Sequence, residues 1–147
     1  MINRIKENLA QKLDQRRYQH SLEVAKEAKK LSQIYGYNED KAELAGLLHD
    51  SAKYLEPKQL LLIAISDGYR VDSFERENPE LLHSYVSSMI ARDYYSIAAA
   101  DVLDAIKKHT VGDKEMGLLD KIIFVADYTD INRTFDPEKR HIIKEES

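Results

Sequence analysis

Apolar residues recur at intervals of three and four along almost the whole chain, and no convincing run alternates apolar with polar residues as a half-buried strand would. That periodicity predicts an all-α bundle of about seven helices. The first covers residues 2–14, with Ile5, Leu9 and Leu13 on one side. The second spans 17–35 on a stripe of Val24, Ala28 and Leu31 that runs back to His20, and Gly36 stops it. Asn38 suits the N-cap of a third helix, whose stripe of Leu44, Ala45 and Leu48 delivers His49. Pro57 opens a fourth helix that ends at Gly68. A polar connection over 69–78 leads to Pro79 and a fifth helix reaching about residue 94, with Leu82, Val86, Met89 and Ile90 inward. A sixth spans about 98–108. After a loop at 112–115, a seventh runs from Met116 to about residue 131 with Leu119, Ile122, Ile123 and Ala126 inward. Beyond about residue 134 the chain reads as a charged tail or a truncated C-terminal helix.

Length and charge narrow the function classes. A chain of 147 residues suits one domain, and 43% apolar with 33% charged residues is a soluble, globular balance. The net charge of −4 argues against a nucleic-acid polymer as partner. The absence of cysteine excludes disulfides, thiolate catalysis and zinc–thiolate or iron–sulfur sites. The N-terminus is too charged for a signal peptide, and nothing approaches the ~20 apolar residues of a membrane span. The chain therefore reads as cytoplasmic, with no membrane partner.

Four of the five histidines lie on or beside the inward stripes. His20 is four residues before Val24, His83 three before Val86, and His109 three after Ile106. Asp127 is four after Ile123, and a buried aspartate is costly unless paired or bound to a metal. His49 and Asp50 are adjacent, so about 100° apart on a helix, but at a helix end both side chains can converge on one ion. Singly, each has an ordinary reading: a core histidine with one hydrogen bond, a C-terminal histidine favoured by the helix dipole, a capping aspartate. Together they would make an incoherent core and a coherent metal site. Such nitrogen and oxygen donors suit Fe, Mn, Zn or Mg. Two ions bridged by a carboxylate, ~3.5–4 Å apart, could activate water against a phosphoryl group. His141, in the charged tail, reads as solvated.

The ordered series Arg17-Tyr18-Gln19-His20, Ala45-Gly46-Leu47-Leu48-His49-Asp50 with Ala52-Lys53, Pro79-Glu80-Leu81-Leu82-His83, His109-Thr110 and Ala126-Asp127-Tyr128 with Asn132-Arg133 resembles the His-Asp (HD) superfamily of metal-dependent phosphohydrolases. More narrowly it resembles the bacterial HD-domain symmetrical bis(5′-nucleosyl)-tetraphosphatases, which split diadenosine tetraphosphate into two ADP. The resemblance implies an all-helical HD domain and a divalent metal pair of di-iron type, with Mn, Zn or Mg tolerated by the same donors. It implies one metal held by His20, His49, Asp50 and Asp127, a second held by His83 and His109, and Asp50 bridging. Relatives of this kind associate, which implies a homodimer.

The resemblance also places Lys53 beside the site and Arg133 near the phosphates. Asp50 and Lys53 are thus the catalytic candidates, the lysine neutralising developing charge. Lys53, Thr110, Arg133 and Arg17 are the candidates for binding substrate. Each has an ordinary alternative: a solvated lysine, a helix-end threonine, an ion pair of Arg133 with Asp130 or Asp136, and a structural contact for Arg17. Tyr94-Tyr95 reads as a platform for a base or as packing. The chain carries Thr129-Asp130-Ile131 where the family commonly has Ile-Glu-Pro, a departure that bears on Arg133. Two alternatives to the narrow activity are a phosphohydrolase for another nucleotide, such as a deoxynucleotide or signalling nucleotide, and a non-catalytic nucleotide-binding HD module.

Overall fold

A computed structural model describes residues 1–109 and 115–135, with 132–135 as backbone only. Among the described residues there are eight α-helices, one 3₁₀ turn and no strand. The helices are α1 (Ile2–Lys12), α2 (Gln15–Tyr35), α3 (Glu39–Leu48), α4 (Pro57–Ser66), α5 (Ser73–Glu77), α6 (His83–Asp93), α7 (Ala100–Lys108) and α8 (Leu118–Phe135), and the 3₁₀ turn is Pro79–Leu82. No helix among the described residues is long and apolar enough to cross a membrane.

Local chemistry fixes the helix ends. The Asp14 side chain accepts from the Arg17 amide and starts α2, relieving one of the unpaired amides of a first turn. Gly36 ends α2 in the left-handed region at φ 74°, a conformation that costs glycine little. Asn38 caps α3 by accepting from the Lys41 amide. The all-helical expectation is met, with more pieces than seven. The 69–78 stretch, read as a plain connection, contains α5. Its start is a reciprocal box in which Asp72 accepts from the Glu75 amide at 2.7 Å and Glu75 accepts from the Asp72 amide at 3.1 Å. The helix expected from Pro79 begins as a 3₁₀ turn and becomes α-helical only at His83. The last helix continues past residue 131 to Phe135.

The main core joins Leu9, Val24, Ala28, Leu47, Leu48, Val102, Ile106 and Ile123, drawn from α1, α2, α3, α7 and α8. A smaller cluster of Ala52, Leu60, Ala64, Leu82 and Val86 seats α4, the 3₁₀ turn and α6. Each fully buried leucine or valine contributes about 1.5–3 kcal/mol relative to exposure. The helix α2 packs on both α3 and α8, and α7 packs on α3, α6 and α8. The α2–α3 approach is tight at Gly46, where an added Cβ would lie 2.8 Å from the Ala25 Cα. That proximity brings the end of α3, and hence His49, against α2.

Candidate metal centre

Two of the histidines sit where a helix end leaves carbonyl groups without intrahelical partners, and a third, His83, sits where the 3₁₀ turn passes into α6. His49 follows the last residue of α3, His109 follows α7, and His83 follows the 3₁₀ turn. In each, Nδ1 donates to the carbonyl three residues earlier: His49 to Gly46 at 2.6 Å, His83 to Glu80 at 2.9 Å, His109 to Ile106 at 2.6 Å. A carbonyl can only accept, so Nδ1 carries the proton and the neutral ring keeps Nε2 as a bare lone pair. The His83 and His109 Nε2 atoms meet at one buried spot, and the His49 Nε2 faces an adjoining one. His49 is fully buried, and His109 and Asp50 nearly so.

His20 belongs to α2 and reaches the His49 spot from across the α2–α3 contact. Its Nε2 lies 3.2 Å from the His49 Nε2 and 2.9 Å from the Asp127 Oδ1 of α8. The Asp127 Oδ1 is also 3.3 Å from the His49 Nε2. The Asp50 oxygens divide. Its Oδ2 faces His20 (3.7 Å) and His49 (3.3 Å), and its Oδ1 faces His83 (3.5 Å) and His109 (3.3 Å). The Nε2 atoms of His83 and His109 are 3.3 Å apart. The six side chains thus form two donor groups, His20–His49–Asp50–Asp127 and Asp50–His83–His109, with Asp50 in both.

This donor set fits divalent cations. Bonds of ~2.1 Å from nitrogen and oxygen place neighbouring donors roughly 3–3.4 Å apart, and the contacts here run from 2.9 to 3.7 Å. Lone pairs facing each other at 3.2–3.3 Å repel unless a proton or a cation lies between them. The acid–base state without an ion says the same. Burial disfavours a charged His20, yet Asp127 and Asp130 outweigh it and raise the ring from 6.5 to about 9. His49 likewise rises well above its ordinary value against burial, because Asp50 and Asp127 face it. Burial opposes ionisation of Asp50 and Asp127 too, but the imidazoles hold both below the usual carboxylate range. Burial lowers His109 and keeps it neutral. Protons on His20 and His49 therefore balance the carboxylates where cations could.

Neighbouring contacts hold the elements in place. The Arg17 guanidinium donates to the Lys53 carbonyl, clamping the start of α2 onto the turns that follow Asp50. The Lys53 amide in turn donates to the Asp50 carbonyl at 3.0 Å. Asp120 accepts from the Gly117 amide at 2.8 Å and lies 3.7 Å from the Lys108 Nζ, tying the end of α7 to the start of α8. Tyr94 and Tyr95 lie apart from the cluster, against Asn8 of α1. Thr110 and the side chain of Arg133 lie outside the described residues, as do Asp136 and His141. One residue of the cluster's surroundings is read from the sequence only as an ion-pair partner for Arg133. Asp130 places its Oδ2 2.5 Å from the His20 Nδ1. Its spacing of three from Asp127 puts both on one face of α8, and that was the available signal.

The family model described as the HD domain matches residues 17–132. The chain belongs to the HD domain family. All six clustered side chains lie inside the matched span. Among curated relatives, this HD domain is 38% identical over 123 residues to the symmetrical bis(5′-nucleosyl)-tetraphosphatase of Halalkalibacterium halodurans, covering 84% of this chain and 65% of that one. It is 39% identical over 133 residues to the enzyme of the same name from Staphylococcus aureus, covering 90% and 68%. The chain thus spans about two thirds of the length of these relatives. It also superposes with TM-score 0.90 and 37% identity on a crystal structure from Clostridium acetobutylicum, described as a predicted HD superfamily hydrolase involved in NAD metabolism. That match covers 99% of this chain and 78% of the other.

Proposed function

We propose that this HD domain is a metal-dependent phosphohydrolase that cleaves bis(5′-nucleosyl) tetraphosphates symmetrically, diadenosine tetraphosphate into two ADP. The observation that carries the reading is the division of the Asp50 oxygens between two groups of imidazoles. His20, His49, Asp50 and Asp127 would hold one ion, and Asp50, His83 and His109 the other. Bound divalent ions supply Lewis acidity toward phosphoryl oxygens and lower the pKa of water to about 7.

The side chains do the rest by positioning, since phosphoryl transfer asks little covalent chemistry of a protein. Asp50 keeps the two donor groups in register. Lys53, held three residues beyond it, neutralises charge that develops on the phosphates. Arg133 and Thr110 are the proposed phosphate contacts, and Arg17 supports substrate binding through its grip on the turn that carries Lys53. Symmetrical cleavage is favoured by the curated relatives, both of which bear that activity in their names. We propose iron as the metal on the family resemblance, and equally one domain, a homodimer and a cytoplasmic location.

The test is turnover of diadenosine tetraphosphate with products resolved by chromatography, alongside elemental analysis of anaerobically purified protein. ADP as the sole product is expected. Asp50→Ala should remove turnover while the protein remains helical. Release of AMP and ATP would contradict symmetrical cleavage. Indifference to this substrate with hydrolysis of another nucleotide would leave the metal reading and sink the narrow activity.

A further inference from the structure

The four imidazoles of the cluster are not held alike. His49, His83 and His109 each donate Nδ1–H to a main-chain carbonyl of their own segment. His20 has no such partner, because it lies inside α2, where main-chain carbonyls are engaged by the helix itself. Its Nδ1 instead faces the Asp130 Oδ2 at 2.5 Å, from another helix. Asp127 and Asp130, three apart on α8, straddle the ring, one at each nitrogen. Asp130 is 8% exposed. A carboxylate is expensive to bury without a charged partner, so its position needs an explanation beyond chance.

A carboxylate acceptor differs from a carbonyl in kind. It forms a shorter, charge-assisted bond, fixes the ring tautomer and makes the opposite nitrogen a stronger donor. The charges are also uneven. Among the described residues, the His20 group contains the carboxylates of Asp50 and Asp127, with Asp130 behind the ring, whereas the His83 group contains only the shared Asp50.

We propose that Asp130 is a positioning residue: by accepting the His20 Nδ1 proton it fixes that ring with Nε2 directed inward, and it makes the His20 half of the centre the tighter of two unequal cation sites. The inference rests on reading the cluster as a metal centre. It assigns Asp130 no contact with substrate.

The experiment uses Zn²⁺ alone, titrated into the full chain stripped of metal, in competition with a chromophoric chelator. Wild type should take up two ions in distinguishable steps. Asp130→Asn keeps an acceptor and loses the charge; it should weaken the first step about tenfold. Asp130→Ala removes both and should approach a hundredfold, the range known for outer-shell partners. The second step should stay within about threefold in both variants, which a general loss of structure would not allow. A measurement on wild type guards against misfolding of the variants. In long-range ¹H–¹⁵N spectra of the Zn²⁺ form, the Nδ1 proton of His20 should lie furthest downfield of the four ligand histidines. Equal weakening of both steps, no weakening of the first, or a His20 resonance like the other three would each overturn the proposal. If wild type takes up no metal, both this inference and the proposed function fall.

Discussion

The imidazole of His20 carries opposite demands in the presence and absence of an ion. Without one, its pKa of about 9 makes it a cation between two aspartates. A histidine whose pKa rises on folding adds stability that is complete below its unfolded value of 6.5 and is lost as pH climbs through 9. His49, also raised, acts in the same direction. Chelator-treated protein should therefore have a higher urea midpoint at pH 6 than at pH 9.5. With Zn²⁺ saturating, that difference should shrink, because Nε2 then carries no proton to lose. A midpoint that rose with pH in chelator would contradict the arrangement of charges described here. The chemistry of these residues was legible in the sequence because polar groups on apolar stripes are conspicuous. Asp130 was not, since beside Thr129 and Asn132 it looks like one more polar residue of a helix end. Only the position of α2 against α8 gives it a meaning.

At the scale of elements, the α2–α3 contact decides where the cluster forms. Gly46 has no side chain, and the α2 backbone occupies the space one would need. Gly46→Ala must push the two helices apart. The expected cost is about 1–3 kcal/mol, as for other insertions into packed cores, or a fall in Tm of roughly 3–10 °C. The same shift displaces His49, whose Nδ1 bonds to the Gly46 carbonyl. Thermal melts with and without Zn²⁺ read both effects, and an unchanged Tm would show the contact to be looser than it looks. Helix existence followed from periodicity at almost every element. The boundaries followed less well. The start of α5 carried a box signature in Asp72 and Glu75, masked because five residues bury nothing. The 3₁₀ opening before α6 left no signature at all, since Pro79 suits the first turn of either helix type.

Considered whole, the molecule gathers its donors from α2, α3, the junction of the 3₁₀ turn with α6, the end of α7, and α8. No two neighbouring elements alone supply a complete group. Metal binding should therefore stabilise the entire bundle rather than a part of it. At a free Zn²⁺ concentration a hundred times the dissociation constant, the gain is about 2.7 kcal/mol. Calorimetry should show a single transition moving upward by several degrees with Zn²⁺ and returning with chelator. A second, unshifted transition would mean that some helices melt independently of the centre. The fold class and the grouping of six donors were readable from spacing and from the family resemblance. The bridging place of Asp50 came with that resemblance, but which of its oxygens faces which imidazoles did not, because that depends on the rotation of one carboxylate among three helices.

The three carbonyl-held imidazoles have a consequence for descent. Their lock is made of peptide groups, so whatever side chain drifts into positions 80 or 106 still presents the same oxygen to His83 or His109. The His20 lock is a side chain, and a single nucleotide change can abolish it. Over many generations the centre should therefore erode from the α8 side first.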